Sequence, residues 1–148
     1  MFQSLNLDMI GVGPYIANPR TPLGERGEAM MARPGEQVPD TETMTYKVLA
    51  LTRIVCPHAN IPSTTALATL NLAEGRELGL SRGANVVMPN LTPLKYRALY
   101  EIYPAKACIF ETASDCHSCL RTRILSMGRG IGTGPGCSLK RRILGTGK

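Results

Sequence analysis

Short apolar runs alternate with stretches of helical periodicity along this chain, and loops rich in proline and glycine separate them. The first run, residues 7–13, ends at Pro14 and is typical of a buried strand. After a loop over residues 18–39, Asp40 or Thr41 can cap a helix. The apolar residues of this helix recur at helical spacing and indicate a single face, made of Met44, Val48, Leu51 and Val55.

Three further strand–helix units follow the first. The predicted strands cover residues 59–67, 84–88 and 107–110, and the predicted helices cover residues 74–82, 94–102 and about 114–127. Gly83 suits the left-handed cap of the second helix. Thr92 and Pro93 suit the cap and the first position of the third.

Strands that alternate with helices predict an α/β fold with a parallel sheet covered by helices. Four strand–helix units are half of an eight-fold TIM-type barrel, for which about 250 residues are typical. A small, complete, open α/β sheet is the alternative. In either case, residues 1–127 hold the units, and residues 128–148 form a glycine-rich, basic C-terminal tail.

The charge of +6 is concentrated near the end of the chain, where seven basic residues and no acidic residue follow Cys116. This stretch has no aromatic residue for base stacking and no recognisable binding motif, so nucleic acid is not an expected partner. An uninterrupted apolar run of about 18 residues, as a membrane span requires, is absent from the sequence. The first residues also lack the pattern of a signal peptide, so we expect a cytoplasmic location.

Five cysteines in a cytoplasmic chain argue against a disulfide framework, which leaves metal binding or core packing. Cys108 ends a predicted strand, and Cys116 and Cys119 share one face of the predicted helix that follows. Three converging thiolates suit an iron–sulfur cluster or a zinc ion, although buried structural thiols are the alternative. Cys56 and Cys137 have no spacing partner, and we interpret them as core or incidental residues.

Three predicted strand ends look alike, because each places a proline beside small or polar residues: 11–14, 60–62 and 88–90. In barrels of parallel strands the active site lies at the carboxyl ends of the strands. Thr64 and Thr65 add two hydroxyl groups there, although threonines in a strand are also ordinary β-formers.

Several of these strings resemble the radical S-adenosylmethionine (SAM) maturase of iron–iron hydrogenases. The resemblance is carried by residues 47–54 (KVLALTRI) and 59–66 (ANIPSTTA) and extends to residues 75–77, 83–90 and 96–104. It covers nearly the whole chain, from Asp8 to Lys140. Biotin synthase and the methylornithine synthase of pyrrolysine formation are similar only in barrel layout.

The resemblance implies the C-terminal half of a (β/α)₈ barrel in which a 4Fe–4S cluster cleaves SAM to a 5′-deoxyadenosyl radical. The radical then acts on a small organometallic iron–cysteine precursor of the hydrogenase H-cluster. The residues implied to line the substrate and anion cavity are Met9, Thr64, Thr65, Met88, Tyr100 and Tyr103. Those implied to surround SAM are Pro14, Asn60, Ile61 and Pro62. Cys108, Cys116 and Cys119 match the spacing of an accessory iron–sulfur site that only some family members have.

The sequence departs from this family in one respect. Radical SAM enzymes hold the catalytic cluster with a CxxxCxxC loop, and no three cysteines here have that spacing. The chain alone is therefore expected not to cleave SAM, and its expected partners are the N-terminal half of the barrel, a small-molecule substrate and other hydrogenase maturation proteins. The alternatives are another radical enzyme, similar to biotin synthase or methylornithine synthase, and a stand-alone iron–sulfur binding protein.

Overall fold

Helices make up most of the regular structure in the computed structural model, which describes residues 2–26, 35–100 and 102–140. Within these residues the helices are α1 (Phe2–Leu5), α2 (Pro22–Glu25), α3 (Glu42–Val55), α4 (Thr65–Leu70), α5 (Gly75–Ser81), α6 (Leu94–Arg97) and α7 (Ala113–Ser126). None of the described helices is long and apolar enough to cross a membrane.

Three extended stretches lie parallel to one another, and we call residues 8–10, 60–63 and 85–86 the parallel segments. An isolated bridge joins Met9 to Asn60, and a second joins Pro62 to Val86. The Ile10 amide donates to the Asn60 carbonyl at 2.9 Å, and the Ser63 amide donates to the Val86 carbonyl at 2.9 Å. The spatial order of the segments therefore follows their order along the chain.

The core lies between the parallel segments and helices α3, α4 and α5. Its fully or almost fully buried side chains are Tyr46, Leu49, Ile61, Leu67, Leu80 and Ala84. A second cluster, made of Ile10, Cys56 and Ala59, packs beneath α1. The buried position of Cys56 agrees with its interpretation as a core residue.

The predicted helix after residue 40 is confirmed as α3, but the prediction of its buried face is wrong. Thr41 is the N-cap, and its hydroxyl accepts the Met44 amide at 3.3 Å. The buried residues are Thr45, Tyr46, Leu49 and Thr52, because α3 packs against α5 and α1. Leu51, by contrast, is 60% exposed. The apolar stripe read from the sequence therefore faces away from the core of the described residues.

The strand predicted over residues 59–67 is wrong in its second half. Thr64 is the N-cap of α4, and its hydroxyl accepts the Leu67 amide at 3.4 Å. A threonine hydroxyl that accepts the amide three residues later satisfies one of the free N–H groups in the first turn of a helix. Here this local hydrogen bond replaces strand pairing. The helix after α4 is confirmed: α5 ends before Gly83, which has the predicted left-handed conformation with φ 115°.

The third and fourth predicted units are confirmed in part. The helix after Thr92 is a single turn, and Pro93 is its N-cap instead of its first residue. The strand predicted over residues 107–110 does not form, because Cys108 has a left-handed φ of 62°, which a strand cannot accommodate. The following helix is confirmed as α7, and Thr112 and Asp115 begin it with a reciprocal capping box.

The tail predicted from residue 128 runs back to the beginning of the chain. The Asn60 side chain donates to the Gly136 carbonyl at 2.9 Å. The Ser138 hydroxyl donates to the Asp8 carboxylate at 2.8 Å, and the Lys140 ammonium donates to the Leu7 carbonyl at 2.7 Å. The described part of the tail therefore lies against the amino ends of the first two parallel segments, and residues 141–148 lie outside the described residues.

The buried Tyr46 hydroxyl has no hydrogen-bond partner among the residues that the structure describes, and this predicts a stabilising substitution. Tyr46 is 6% exposed, and the Arg82 guanidinium carbon lies 4.7 Å from the centroid of the Tyr46 ring. We expect Tyr46→Phe to raise the free energy of unfolding by about 1 kcal/mol, because it removes an unpaired polar group and keeps the ring contacts. Urea unfolding of Tyr46→Phe measures the effect, and Tyr96→Phe, which changes an exposed ring, is the control. A loss of stability in Tyr46→Phe alone would contradict this prediction.

Candidate substrate edge and cysteine site

The carboxyl ends of the parallel segments lie at one edge of the fold, which we call the substrate edge. Pro14, Thr64 and Met88 follow the three segments and therefore lie at this edge. A Cβ atom on Gly13 would lie 3.0 Å from the Thr64 hydroxyl, so the first loop passes closely over the second. Only glycine allows this approach without displacing the threonine.

The structure separates the predicted cavity residues into three groups. Thr64 and Thr65 are half-buried at the substrate edge, where Met88 is 52% exposed. Met9 is 51% exposed and forms its bridge with Asn60, at the amino end of the second parallel segment. Tyr100 and Tyr103 belong to the loop after α6, where the Lys106 ammonium lies 4.7 Å from the centroid of the Tyr100 ring. Burial, and secondarily Tyr100, raises the pKa of Tyr103.

The residues predicted to surround SAM are also divided. Pro14 and Pro62 lie toward the substrate edge, whereas Ile61 is fully buried in the core. Asn60 is buried near the tail, and its amide oxygen accepts from the Asn85 side chain at 3.1 Å. The Asn85 oxygen in turn accepts from the Ile61 amide at 2.8 Å. Asn60 therefore fixes the spacing of the parallel segments in this structure.

A second polar centre joins the loop after the third parallel segment to the cysteines. The Asn90 amide donates to the Cys116 sulfur at 3.3 Å, and the Asn90 side chain donates to the Cys108 carbonyl at 3.1 Å. Arg97, which is 3% exposed, donates to the carbonyls of Asn90, Thr92, Cys108 and Glu111. These contacts hold the Met88–Asn90 loop against the cysteine site.

The three predicted cysteine ligands are only partly assembled. Cys108 is half-buried, Cys116 is buried at the start of α7, and Cys119 is exposed one turn further along. Burial raises the pKa of the Cys108 thiol, the nearby Arg76 guanidinium opposes the change, and the Cys116 thiol adds to it. Cys108 and Cys116 are thus electrostatic neighbours. His117, which follows Cys116, is exposed.

The donor set fits an iron–sulfur cluster in its chemistry, because thiolates are the usual ligands of such clusters. The Cys108 sulfur accepts an N–H group from Arg76, and the Cys116 sulfur accepts one from Asn90. Ligand sulfurs in iron–sulfur sites accept similar hydrogen bonds. In the part of the chain that the structure describes, however, no three Cys, His, Asp or Glu side chains converge as ligands of a single metal ion. The cluster assignment therefore stays a prediction.

Arg76 and Arg97 are the residues of this region that the sequence did not reveal. Both are buried, although arginine is rarely buried without a partner. The surroundings of Arg76 offered a weak signal, because Gly75 and Gly79 on the same short helix indicate close packing on that side. Nothing in the sequence around Arg97 distinguishes it from a surface residue.

No family model matches the chain. Among curated proteins, the FeFe hydrogenase maturase subunit HydE of Thermotoga maritima matches the chain with 44% identity over 124 residues. Over these residues the chain is similar to HydE. The match covers 84% of this chain and 32% of that protein, so the chain spans about a third of the length of the relative. These proportions are consistent with the predicted resemblance to the C-terminal part of a HydE protein.

Proposed function

We propose that this chain forms the C-terminal part of the barrel of a HydE-type radical SAM enzyme that matures the iron–iron hydrogenase. The observation that carries the proposal is the 44% identity to HydE over 124 residues. An identity of this level over most of the chain supports a shared architecture and a shared reaction class. The substrate we propose is the small organometallic iron–cysteine precursor implied by the resemblance.

The arrangement of the parallel segments supports the barrel. Each is followed by at least one helix, and their spatial order follows the chain, as in consecutive βα units. The first and third segments have outer edges that could pair with further strands, and the apolar stripe on α3 faces away from the core. We infer that the N-terminal part of the barrel covers these surfaces.

At the substrate edge, the chain would contribute one wall of the cavity. The Thr64 and Thr65 side chains offer hydroxyl donors for an anionic substrate group, and Met9 and Met88 offer polarisable apolar contacts. Bound SAM and the catalytic 4Fe–4S cluster would supply the radical chemistry. The cysteine loop that holds this cluster would belong to the N-terminal part of the barrel.

Other maturation proteins remain proposed partners, and the cytoplasmic location remains a prediction.

We further propose that Cys108, Cys116 and Cys119 hold the accessory iron–sulfur cluster found in some members of the family. The N–H groups on the Cys108 and Cys116 sulfurs support this assignment. Among the described residues, the Cys108 and Cys116 sulfurs accept hydrogen bonds from Arg76 and Asn90 and from none of the predicted cavity residues, which supports an accessory role.

The proposal predicts that SAM cleavage requires both parts of the barrel. The 148-residue chain, reconstituted anaerobically with iron and sulfide, should produce no 5′-deoxyadenosine from SAM, because it lacks the CxxxCxxC loop. Co-expression with the N-terminal two thirds of the Thermotoga maritima HydE should restore production, measured by chromatography.

The matched control replaces the first cysteine of the CxxxCxxC loop in the added part with serine, which should abolish the product again. Production of 5′-deoxyadenosine by the chain alone would overturn the proposed division of labour. Failure of a correctly folded, iron-loaded complex to cleave SAM would overturn the radical SAM function. If the chain alone bound iron but never formed a complex, the alternative of a stand-alone iron–sulfur protein would be favoured.

A further inference from the structure

Arg76 is a buried cation, and no carboxylate among the described residues forms an ion pair with it. Its side chain lies on α5 and is 7% exposed. Among the described residues, its guanidinium donates to a single side chain, the Cys108 sulfur, at 3.7 Å from Nη1 and 3.8 Å from Nη2. A neutral thiol is a weak acceptor and does little to offset the cost of burying a charge. The Arg76 guanidinium therefore favours an anionic sulfur at Cys108 and opposes the effect of burial on the pKa of this thiol.

The backbone fixes Arg76 in this position. The Ser63 hydroxyl donates to the Arg76 carbonyl at 3.0 Å, which ties α5 to the second parallel segment. Gly79, one turn further along α5, leaves no room for a Cβ atom because Ser63 occupies that space. Arg76 is thus presented to Cys108 by a closely packed helix and not by a mobile loop.

Hydrogen bonds to its backbone carbonyl fix the position of Cys108 as well. Its carbonyl accepts from the Asn90 side chain at 3.1 Å and from the Arg97 guanidinium at 3.0 Å. The distance between the Arg76 guanidinium and the Cys108 sulfur is therefore set by two independently anchored pieces of backbone. Hydrogen bonds to ligand sulfurs and nearby charges are the means by which proteins tune iron–sulfur clusters.

We propose that Arg76 is a positioning residue of the accessory iron–sulfur site. It directs two N–H donors at the Cys108 sulfur and compensates part of the negative charge that three thiolates and a cluster bring to this partly buried site. This inference rests on the accessory cluster of the proposed function and adds to it a residue outside the cysteine triplet. Arg76 does not replace a cysteine as a ligand.

The test uses the full chain, reconstituted anaerobically with iron and sulfide, and compares Arg76→Met and Arg76→Lys with the wild type. Loss of iron to a ferrous chelator should be about 10-fold faster in Arg76→Met, which lacks both charge and donors. The reduction potential should fall in the same variant, because a positive charge and N–H donors favour the reduced, more negative cluster. Arg76→Lys keeps the charge but not the planar pair of donors, and we expect intermediate values.

Arg121→Met is the matched control, because it removes an exposed arginine from the helix that carries Cys116 and Cys119. It should leave the rate of iron loss within about twofold of the wild type. If Arg76→Met does not fold, as judged by circular dichroism of the iron-free chain, the potential of Arg76→Lys decides the question.

The outcomes separate the inference from its basis. Wild-type rates and potentials in both Arg76 variants would overturn the role of Arg76 and leave the cluster in place. Absence of cysteine-dependent iron in the wild-type chain would overturn the accessory cluster together with this inference. The production of 5′-deoxyadenosine by the assembled barrel would test the maturase function independently of either result.

Discussion

Arg97→Met is expected to lower the free energy of unfolding by about 4 kcal/mol, because it leaves several buried carbonyl groups without a donor. The Arg97 guanidinium donates to four backbone carbonyls, at 2.6 Å for Thr92 and 2.8 Å for Asn90, and also to Cys108 and Glu111. Arg97 and the Asn90 side chain both join the Asn90 loop to Cys108, so local order around the cysteine site should decrease when Arg97 is removed. Urea unfolding followed by circular dichroism measures the loss.

Lys95→Met is the control for this prediction, because Lys95 is an exposed cation on the same helical turn. We expect it to change the free energy of unfolding by less than about 0.5 kcal/mol. Arg97→Lys retains the charge but cannot reach four carbonyls in one plane, so it should recover only part of the loss. An Arg97→Met variant within about 1 kcal/mol of the wild type would show that the carbonyls find other donors.

Gly75→Ala should destabilise the protein by about 2 kcal/mol, although alanine is normally the better helix former. Gly75 begins α5 and is buried against the end of α4. A Cβ atom there would lie 2.9 Å from the Leu67 carbonyl carbon, and the Leu67 oxygen would be closer still. Because the obstacle is backbone, relief requires the two helices to move apart.

The same substitution at Gly130 provides the comparison, since a Cβ atom there would meet nothing within 4 Å. Gly130→Ala should leave the melting temperature unchanged or slightly higher, because it restricts the unfolded chain. Equal melting temperatures for Gly75→Ala and Gly130→Ala would contradict the close packing of α4 and α5.

Helices that begin with a local signal were predictable from the sequence. Thr41 before α3 and the residues around Thr112 before α7 satisfy free amides within the first turn, so no distant contact is needed to start these helices. Gly83 was predictable for a similar reason, since a left-handed residue after a helix is usually glycine. Such features depend on neighbours a few positions away.

The buried face of α3 and the failed strand at residues 107–110 depend on distant parts of the chain. The apolar stripe that includes Leu51 is as regular as the face that is buried, and periodicity alone cannot say which face meets the core. The residues around Cys108 have strand-like composition, but the buried Arg97 and the partly buried Asn90 donate hydrogen bonds to backbone carbonyls there. Hydrogen bonds between residues this far apart leave no periodic trace in a sequence.

The candidate site shows the same division. The resemblance named Thr64, Thr65 and Met88, which follow parallel segments at their carboxyl ends. It also named Met9, which lies level with the amino end of the second segment. The spacing of the cysteines predicted a metal site, but it could not show that Cys119 is exposed while Cys116 is buried. Arg76 became visible only when the structure placed its guanidinium beside the Cys108 sulfur.

The contacts between the tail and the first parallel segment also affect the order in which the protein can fold. The hydrogen bond between Ser138 and Asp8 joins residues 130 positions apart, and the one between Lys140 and Leu7 joins residues 133 positions apart. During synthesis, the first segment is made long before its tail partners leave the ribosome. Closing such long loops is slow, and until then the Asp8 carboxylate and the Leu7 carbonyl are open to contacts with other chains. Residues 8–10 should therefore acquire their final protection from solvent late, after α3, α4 and α5 have packed.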